Sequence, residues 1–147
     1  ERLRARVLYE NAGARTRRLY ISRRKATDRH LRNEDALMRR LRPLGFRRVL
    51  LEELSPSDQI RLFQETEMVV APHGAGLANL LFATDATVLE LQPSSTIAPH
   101  YYLLCKRMGH EYQYLTHDAP AIDDDFSTRP SAVVEELPLP KRNAPSA

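Results

Sequence analysis

The segment Pro72-His73-Gly74-Ala75-Gly76-Leu77 places two of the chain's five glycines within three residues, between the apolar run Met68-Val69-Val70-Ala71 and a helical stretch with Leu77, Leu80 and Leu81 expected inward. Glycine at a strand-to-helix turn lets backbone N–H groups approach a ligand closely and permits positive φ. A helix opening at the same point aims its positive end there, which suits a phosphate. The pattern is neither G-x-G-x-x-G nor a Walker loop, which disfavours NAD enzymes and P-loop ATPases; a tight turn with no ligand is the plain alternative. Ser22 and Arg23 follow a second β-like run, Leu19-Tyr20-Ile21, and the Arg23 guanidinium is placed to reach the same phosphates by charge-assisted hydrogen bonds. Arg24 and Lys25 are expected to face solvent. Glu90, near the carboxyl end of the run Thr87–Leu91, is placed either to accept hydrogen bonds from ribose hydroxyls or to pair with an arginine in the sheet. Cations for phosphates and a carboxylate for a ribose are the requirements of a nucleotide.

These groups meet only if the elements carrying them run side by side. From Arg18 onward the sequence alternates short β-like runs with amphipathic helical stretches. Asn33 reads as an N-cap followed by Glu34 and Asp35, Leu37, Leu41 and Leu44 recur at helical spacing, and Gly45 closes the helix. Phe46 to Leu51 reads as a strand, and Ser55-Pro56-Ser57-Asp58 as a capping box opening a helix with Ile60, Leu62 and Phe63. Met68–Ala71 is apolar throughout, as a strand covered on both faces should be. After Thr87–Leu91, the residues Ile97, Tyr101, Leu104, Cys105 and Met108 form a helical stripe ending at Gly109, and Tyr112–Leu115 alternates as an edge strand.

Five β-then-α steps predict an α/β domain: a Rossmann-like parallel sheet with helices on both faces, over residues 18–117. In such a sheet the loops after the strands gather along one edge, where ligands bind. Residues 1–17 read as a linker or helix from a missing N-terminal domain. Residues 118–147, rich in Pro, Asp and Ser, read as a C-terminal extension with a short helix near 131–137 and a disordered tail.

With 147 residues, 42% hydrophobic and 28% charged, the chain has enough apolar material for one core. It holds no run of 18 apolar residues and no leader, so no membrane segment is expected in this chain. Its single cysteine excludes an internal disulfide framework. The net charge of +3 hides an asymmetry: residues 1–48 hold 15 Arg and one Lys against five acids, residues 49–147 six bases against 14 acids. That front-loaded charge calls for nucleic acid, a phosphorylated small molecule, or the acidic half of the same protein. Nucleic acid is disfavoured because the arginines lack interleaved aromatics. Asp123-Asp124-Asp125 lies in a polar segment with no apolar strand leading into it, so it reads as solvated or capping acids, and no metal site is expected. His30, His100, His110 and Cys105 read as packing or surface residues.

The segments Leu19-Tyr20-Ile21-Ser22-Arg23, Asn33-Glu34-Asp35, Leu51-Glu52-Glu53-Leu54-Ser55, Gln59-Ile60, Pro72-His73-Gly74-Ala75-Gly76-Leu77-Ala78-Asn79-Leu80 and Val88-Leu89-Glu90-Leu91 together resemble glycosyltransferase family 61 in order and spacing. The similarity covers roughly residues 18–117, with Ala78 standing where many relatives carry a hydroxyl residue. It implies one half of a GT-B architecture, the C-terminal, donor-binding domain of an inverting enzyme. It further implies a nucleotide-sugar donor, a UDP-sugar carrying N-acetylglucosamine or a pentose, a glycan or polysaccharide acceptor, and no required metal or cofactor.

Carried onto this sequence, the resemblance has Ser22 and Arg23 contacting the diphosphate. His73, Gly74, Ala75, Gly76 and Leu77 would cradle it, and Glu90 would face the ribose. His73 would stabilise the leaving phosphate, while the general base lies outside these residues. The expected setting is a cytoplasmic bacterial enzyme of polysaccharide synthesis; a non-catalytic nucleotide-binding or regulatory module is the alternative.

Overall fold

The computed structural model describes residues 14–119 and 124–138. Five strands, β1 (Arg17–Ile21), β2 (Phe46–Val49), β3 (Thr66–Pro72), β4 (Thr87–Pro93) and β5 (Glu111–His117), form one sheet in the order β2-β1-β3-β4-β5. Every pairing is parallel. The α-helices are α1 (Glu34–Leu41), α2 (Pro56–Gln64), α3 (His100–Met108) and α4 (Pro130–Glu136), and a 3₁₀ helix spans Ala75–Phe82. The expected α/β Rossmann-like sheet is therefore present.

Connection direction decides which face each helix covers. The chain steps from β1 outward to β2, then back across β1 to β3 and onward to β5. Right-handed crossovers therefore put α1 on one face and α2, the 3₁₀ helix and α3 on the other. Two apolar clusters reflect this: Tyr20, Val70 and Leu89 pack with Leu37 and Leu41 of α1, while Leu19, Val69 and Val88 pack with Phe63, Leu80 and Cys105. β3 alternates between the clusters residue by residue, which is why it reads as uniformly apolar. Phe126 and Val133 of the segment beyond β5 complete the first cluster, and α4 lies against α1.

Local structure departs from expectation at instructive places. Asn33 precedes α1 but makes no side-chain cap. Its amide instead donates to Thr128 O at 2.6 Å and accepts from Thr128 N at 3.0 Å, tethering the C-terminal segment. Ser55 does cap α2, accepting from Asp58 N at 3.2 Å. The helix after the glycine turn is 3₁₀, so Leu77, Leu80 and Ala83 share the inner face at a spacing of three, and Leu81, expected inside, is 36% exposed. Ile97 lies before α3 rather than on its stripe and is exposed.

Much of the charge asymmetry is answered internally. Arg17 pairs with Glu65 (2.5 Å), Arg18 with Glu67 (2.7 Å), Arg15 with Asp85 (3.6 Å), and Lys25 with Glu53. Each joins the basic first third to the acidic remainder. No helix among the described residues is long and apolar enough to cross a membrane.

Candidate functional site

Strand order creates the site. β1 and β3 are neighbours whose following connections leave in opposite directions, β1 toward β2 and β3 toward β4, so the loops part above their carboxyl ends. A crevice of about 420 Å³ lies there, within the range of small-molecule sites. Its walls include Ser22 and Arg23 from beyond β1 and Gly74, Ala75, Gly76 and Leu77 from beyond β3. Six of the eight residues singled out for ligand binding thus meet on one surface.

Arg23 is the centre of this arrangement. Its side chain is only 14% exposed, and Nη2 donates to Asp28 Oδ1 (2.8 Å) and Asp28 O (3.1 Å). The guanidinium lies directly on the Gly74 backbone: a Cβ added at Gly74 would meet Arg23 Nη1 at 2.0 Å and Cζ at 2.9 Å. The expectation of positive φ at this turn is corrected. Gly74 is extended, with φ 173°, and among the described residues the left-handed glycines are Gly45 and Gly109. Gly74 serves to leave room for a guanidinium, and Gly76 to let the 3₁₀ helix close on Leu51 Cδ1 and Ile21 Cγ2, which an added Cβ would meet at 2.8 and 3.3 Å.

The first intrahelical bond here runs from Leu77 N to Gly74 O (3.1 Å). The amides of Ala75 and Gly76 precede it and have no partner within the helix, which leaves them as donors beside the guanidinium.

A second cation stands close by. Arg29, not singled out from the sequence, has a left-handed backbone (φ 54°), and its buried Nε has no hydrogen-bond partner among the described residues. Arg29 Nη1 lies 3.4 Å from Asp28 Oδ2, so one carboxylate stands between two guanidinium groups. Burial, followed by the charge of Arg29, lowers the proton affinity of Arg23 against the opposing pull of Asp28. Asp28 is thus shared by both guanidinium groups. Arg24 (to Glu34 and Asp35) and Lys25 (to Glu53) form ion pairs and are about half exposed, as anticipated.

His73 and Glu90 do not line the crevice; they stand on its α3 side. Glu90 has no exposed surface. Its Oε1 accepts from His73 Nδ1 at 2.5 Å, and Oε2 accepts from Gln92 Nε2 at 3.2 Å and from the Tyr112 hydroxyl. The carboxylate expected to meet a ribose is turned inward, and what it holds is the imidazole. With Nδ1 donating to a carboxylate, the opposite nitrogen, Nε2, is the one left for a ligand. The His73 ring lies 6.0 Å from that of His100 and 5.3 Å from that of Tyr101, both in the first turn of α3. Burial, reinforced by Glu90, pushes the Tyr101 hydroxyl up from its ordinary value. His100 and Tyr101 were expected as surface and stripe residues. Their position directly after the β4 connection is the signal that could have placed them here.

The remaining candidates have structural partners. His30 Nδ1 meets Asp125 (2.9 Å), and His110 accepts from Ala86 N (3.2 Å) and donates to Leu80 O (2.9 Å). Burial pushes the Cys105 thiol up to about 12. Asp124 accepts from Ser95 (2.5 Å), while Asp123 lies outside the described residues.

A parallel doubly wound sheet with a guanidinium and a glycine turn at its switch point is the arrangement of a Rossmann-like domain. The sequence model of Glycosyltransferase 61 matches residues 1–89, and the chain belongs to that family. It is 34% identical to a beta-1,2-xylosyltransferase of Arabidopsis thaliana over 89 residues, 60% of this chain and 16% of that protein. To a second beta-1,2-xylosyltransferase, from Oryza sativa subsp. japonica, it is 38% identical over 64 residues, 43% of this chain and 12% of that protein. The matched segment is thus less than a fifth of either relative's length.

Proposed function

We propose that this chain is the donor-binding domain of an inverting glycosyltransferase of GT-B architecture, which takes a nucleoside diphosphate sugar and passes the sugar to a glycan acceptor. The observation that carries the reading is the Arg23 guanidinium lying on Gly74 beside the amides of Ala75 and Gly76, at the switch point of a family 61 domain. A diphosphate seated there would accept hydrogen bonds from the Arg23 guanidinium, with Arg29 close by. As the bond to the sugar breaks, the growing charge on the leaving phosphate is met by the guanidinium groups and amides already in place, without a metal.

His73 acts on the same oxygen from the α3 side. Held at Nδ1 by Glu90, it offers Nε2 to donate a hydrogen bond or a proton to the departing diphosphate. The base that deprotonates the acceptor hydroxyl belongs to a facing domain, outside these residues. Both relatives are beta-1,2-xylosyltransferases, which favours a pentose donor, and the family resemblance makes UDP the nucleotide to try first.

Isothermal titration of the protein with UDP tests the reading. Binding is expected, and Arg23→Ala should weaken it by about tenfold or more, the loss of one charge-assisted bond. Equal binding by the variant removes Arg23 from the site. Sugar-nucleotide turnover by the full-length protein separates a transferase from a module that merely holds the nucleotide.

A further inference from the structure

Away from Arg23, the crevice wall carries Gln59 of α2 and Asn79 of the 3₁₀ helix, and their amides are ordered by a chain of bonds with one possible polarity. Gln59 Nε2 donates to Leu51 O at 2.8 Å and to Leu54 O at 3.3 Å. Both partners are carbonyls and only accept, so the Gln59 amide cannot be turned around. Its Oε1 therefore faces Asn79 and accepts from Asn79 Nδ2 at 3.0 Å. The same Nδ2 donates its other hydrogen to Gly76 O at 3.2 Å. Both donors of Asn79 are consumed, and the remaining atom, Oδ1, is an acceptor with no partner among the described residues.

We propose that Asn79 is a specificity residue of the crevice, its Oδ1 reading a hydrogen-bond donor on the nucleoside of the bound nucleotide. This rests on the crevice holding a nucleoside diphosphate. The chemistry is one-sided: with its amide locked, Asn79 takes a ring N–H or a ribose hydroxyl and turns away a group that only accepts. The crevice lining supplies both kinds of partner: the cations Arg23 and Lys25 for phosphates, and Asn79 and Glu52 as acceptors for the donor-rich part of the ligand. Gln59 is a positioning residue: its bonds to Leu51 and Leu54 keep the Asn79 oxygen presented.

The test uses the full-length protein and three ligands: UDP, UDP methylated at the uracil N3, and 2′-deoxy-UDP. The unaltered protein is expected to bind one of the two analogues roughly tenfold more weakly than UDP, since a placed acceptor loses its donor. The weaker analogue tells whether ring N–H or hydroxyl is read. Asn79→Leu should bind UDP roughly tenfold more weakly and lose the discrimination, and Gln59→Met should reduce the discrimination by releasing the Asn79 amide. Equal affinity of the unaltered protein for all three ligands overturns the inference, a result that needs no variant to fold. Discrimination that survives Asn79→Leu also overturns it and leaves the nucleotide reading standing. Failure of UDP to bind the unaltered protein overturns both.

Discussion

Substituting Gly74 by alanine separates what the glycine does for the backbone from what it does for Arg23. With φ 173° and ψ 167°, Gly74 is in extended backbone that alanine adopts freely, so the methyl group introduces no backbone strain. It does meet Arg23: Nη1 at 2.0 Å, Cζ at 2.9 Å and Cδ at 3.1 Å. The near atoms are the far end of a long side chain, which gives way before the sheet does. The expected result is a folded protein, destabilised by less than about 1 kcal/mol, with its guanidinium pushed off the turn. A charge-assisted bond to phosphate contributes about 1.5–3 kcal/mol, so UDP affinity should fall roughly 10- to 150-fold. Titration calorimetry and a thermal melt on the same sample read the two effects apart. The double variant Arg23→Ala/Gly74→Ala sharpens the test, because with the guanidinium gone the methyl has nothing to strike. It should bind UDP no worse than Arg23→Ala alone, a fully non-additive cycle. Losses that instead multiply in the double variant, or undiminished binding by Gly74→Ala, would refute the argument.

Three further outcomes follow from other parts of the structure. Glu90→Gln should lower kcat for sugar transfer while leaving KM for the donor in place, because one carboxamide oxygen cannot receive His73, Gln92 and Tyr112 together; a mismatched donor there costs about 1–3 kcal/mol, readable by denaturation. Leu80→Ala should cost about 2–5 kcal/mol and Leu81→Ala under about 1 kcal/mol, since the 3₁₀ helix buries Leu80 and exposes Leu81; equal losses would restore α-helical register. Burial lowers the pKa of His117, whose Nε2 meets Thr128 Oγ1 at 2.7 Å. The unfolded chain therefore binds the proton more readily, so stability should fall as pH drops through about 6.5 and level off below the native pKa. His117→Gln should remove that contribution, at most roughly 1.4 kcal/mol per pH unit. An unchanged acid slope would place the proton uptake elsewhere.

The sequence announced the sheet because its signals are local. Met68–Ala71 is apolar on both faces, Ser55 and Asp58 cap α2, and two glycines interrupt an apolar stretch. The position of the Ser22, Arg23 and Gly74–Leu77 wall followed from a general property of parallel sheets. What stayed hidden depends on distances between segments remote in sequence. Leu77, Leu80 and Leu81 suit an α-helix, and the tighter winding shows only in the bonds from Leu77 N to Gly74 O and from Ala83 N to Leu80 O. Asn33 has the residue type of a cap, yet its amide is claimed by Thr128, 95 residues away. Glu90 stands at the right height on β4, but which side chains receive a carboxylate is a matter of three partners, one just beyond β3 and the others on β4 and β5. Arg29 is one of many arginines in its segment, and nothing in its neighbours' identities tells that its backbone turns left-handed beside Asp28.

Strand order and residue chemistry contribute different things to this site. Any domain with the order β2-β1-β3-β4-β5 opens a crevice where the connections after β1 and β3 part, whatever residues line it. Space alone selects no ligand. What the residues add is two guanidinium groups sharing one carboxylate in the β1 loop and, in the β3 turn, two amides with no partner among the described residues. The Arg23 guanidinium keeps this place only because Gly74 has no side chain: a Cβ there would push it off the turn and toward water. Arg23 and Gly74 are therefore one device supplied by two strands, and neither is expected to function when the other is replaced.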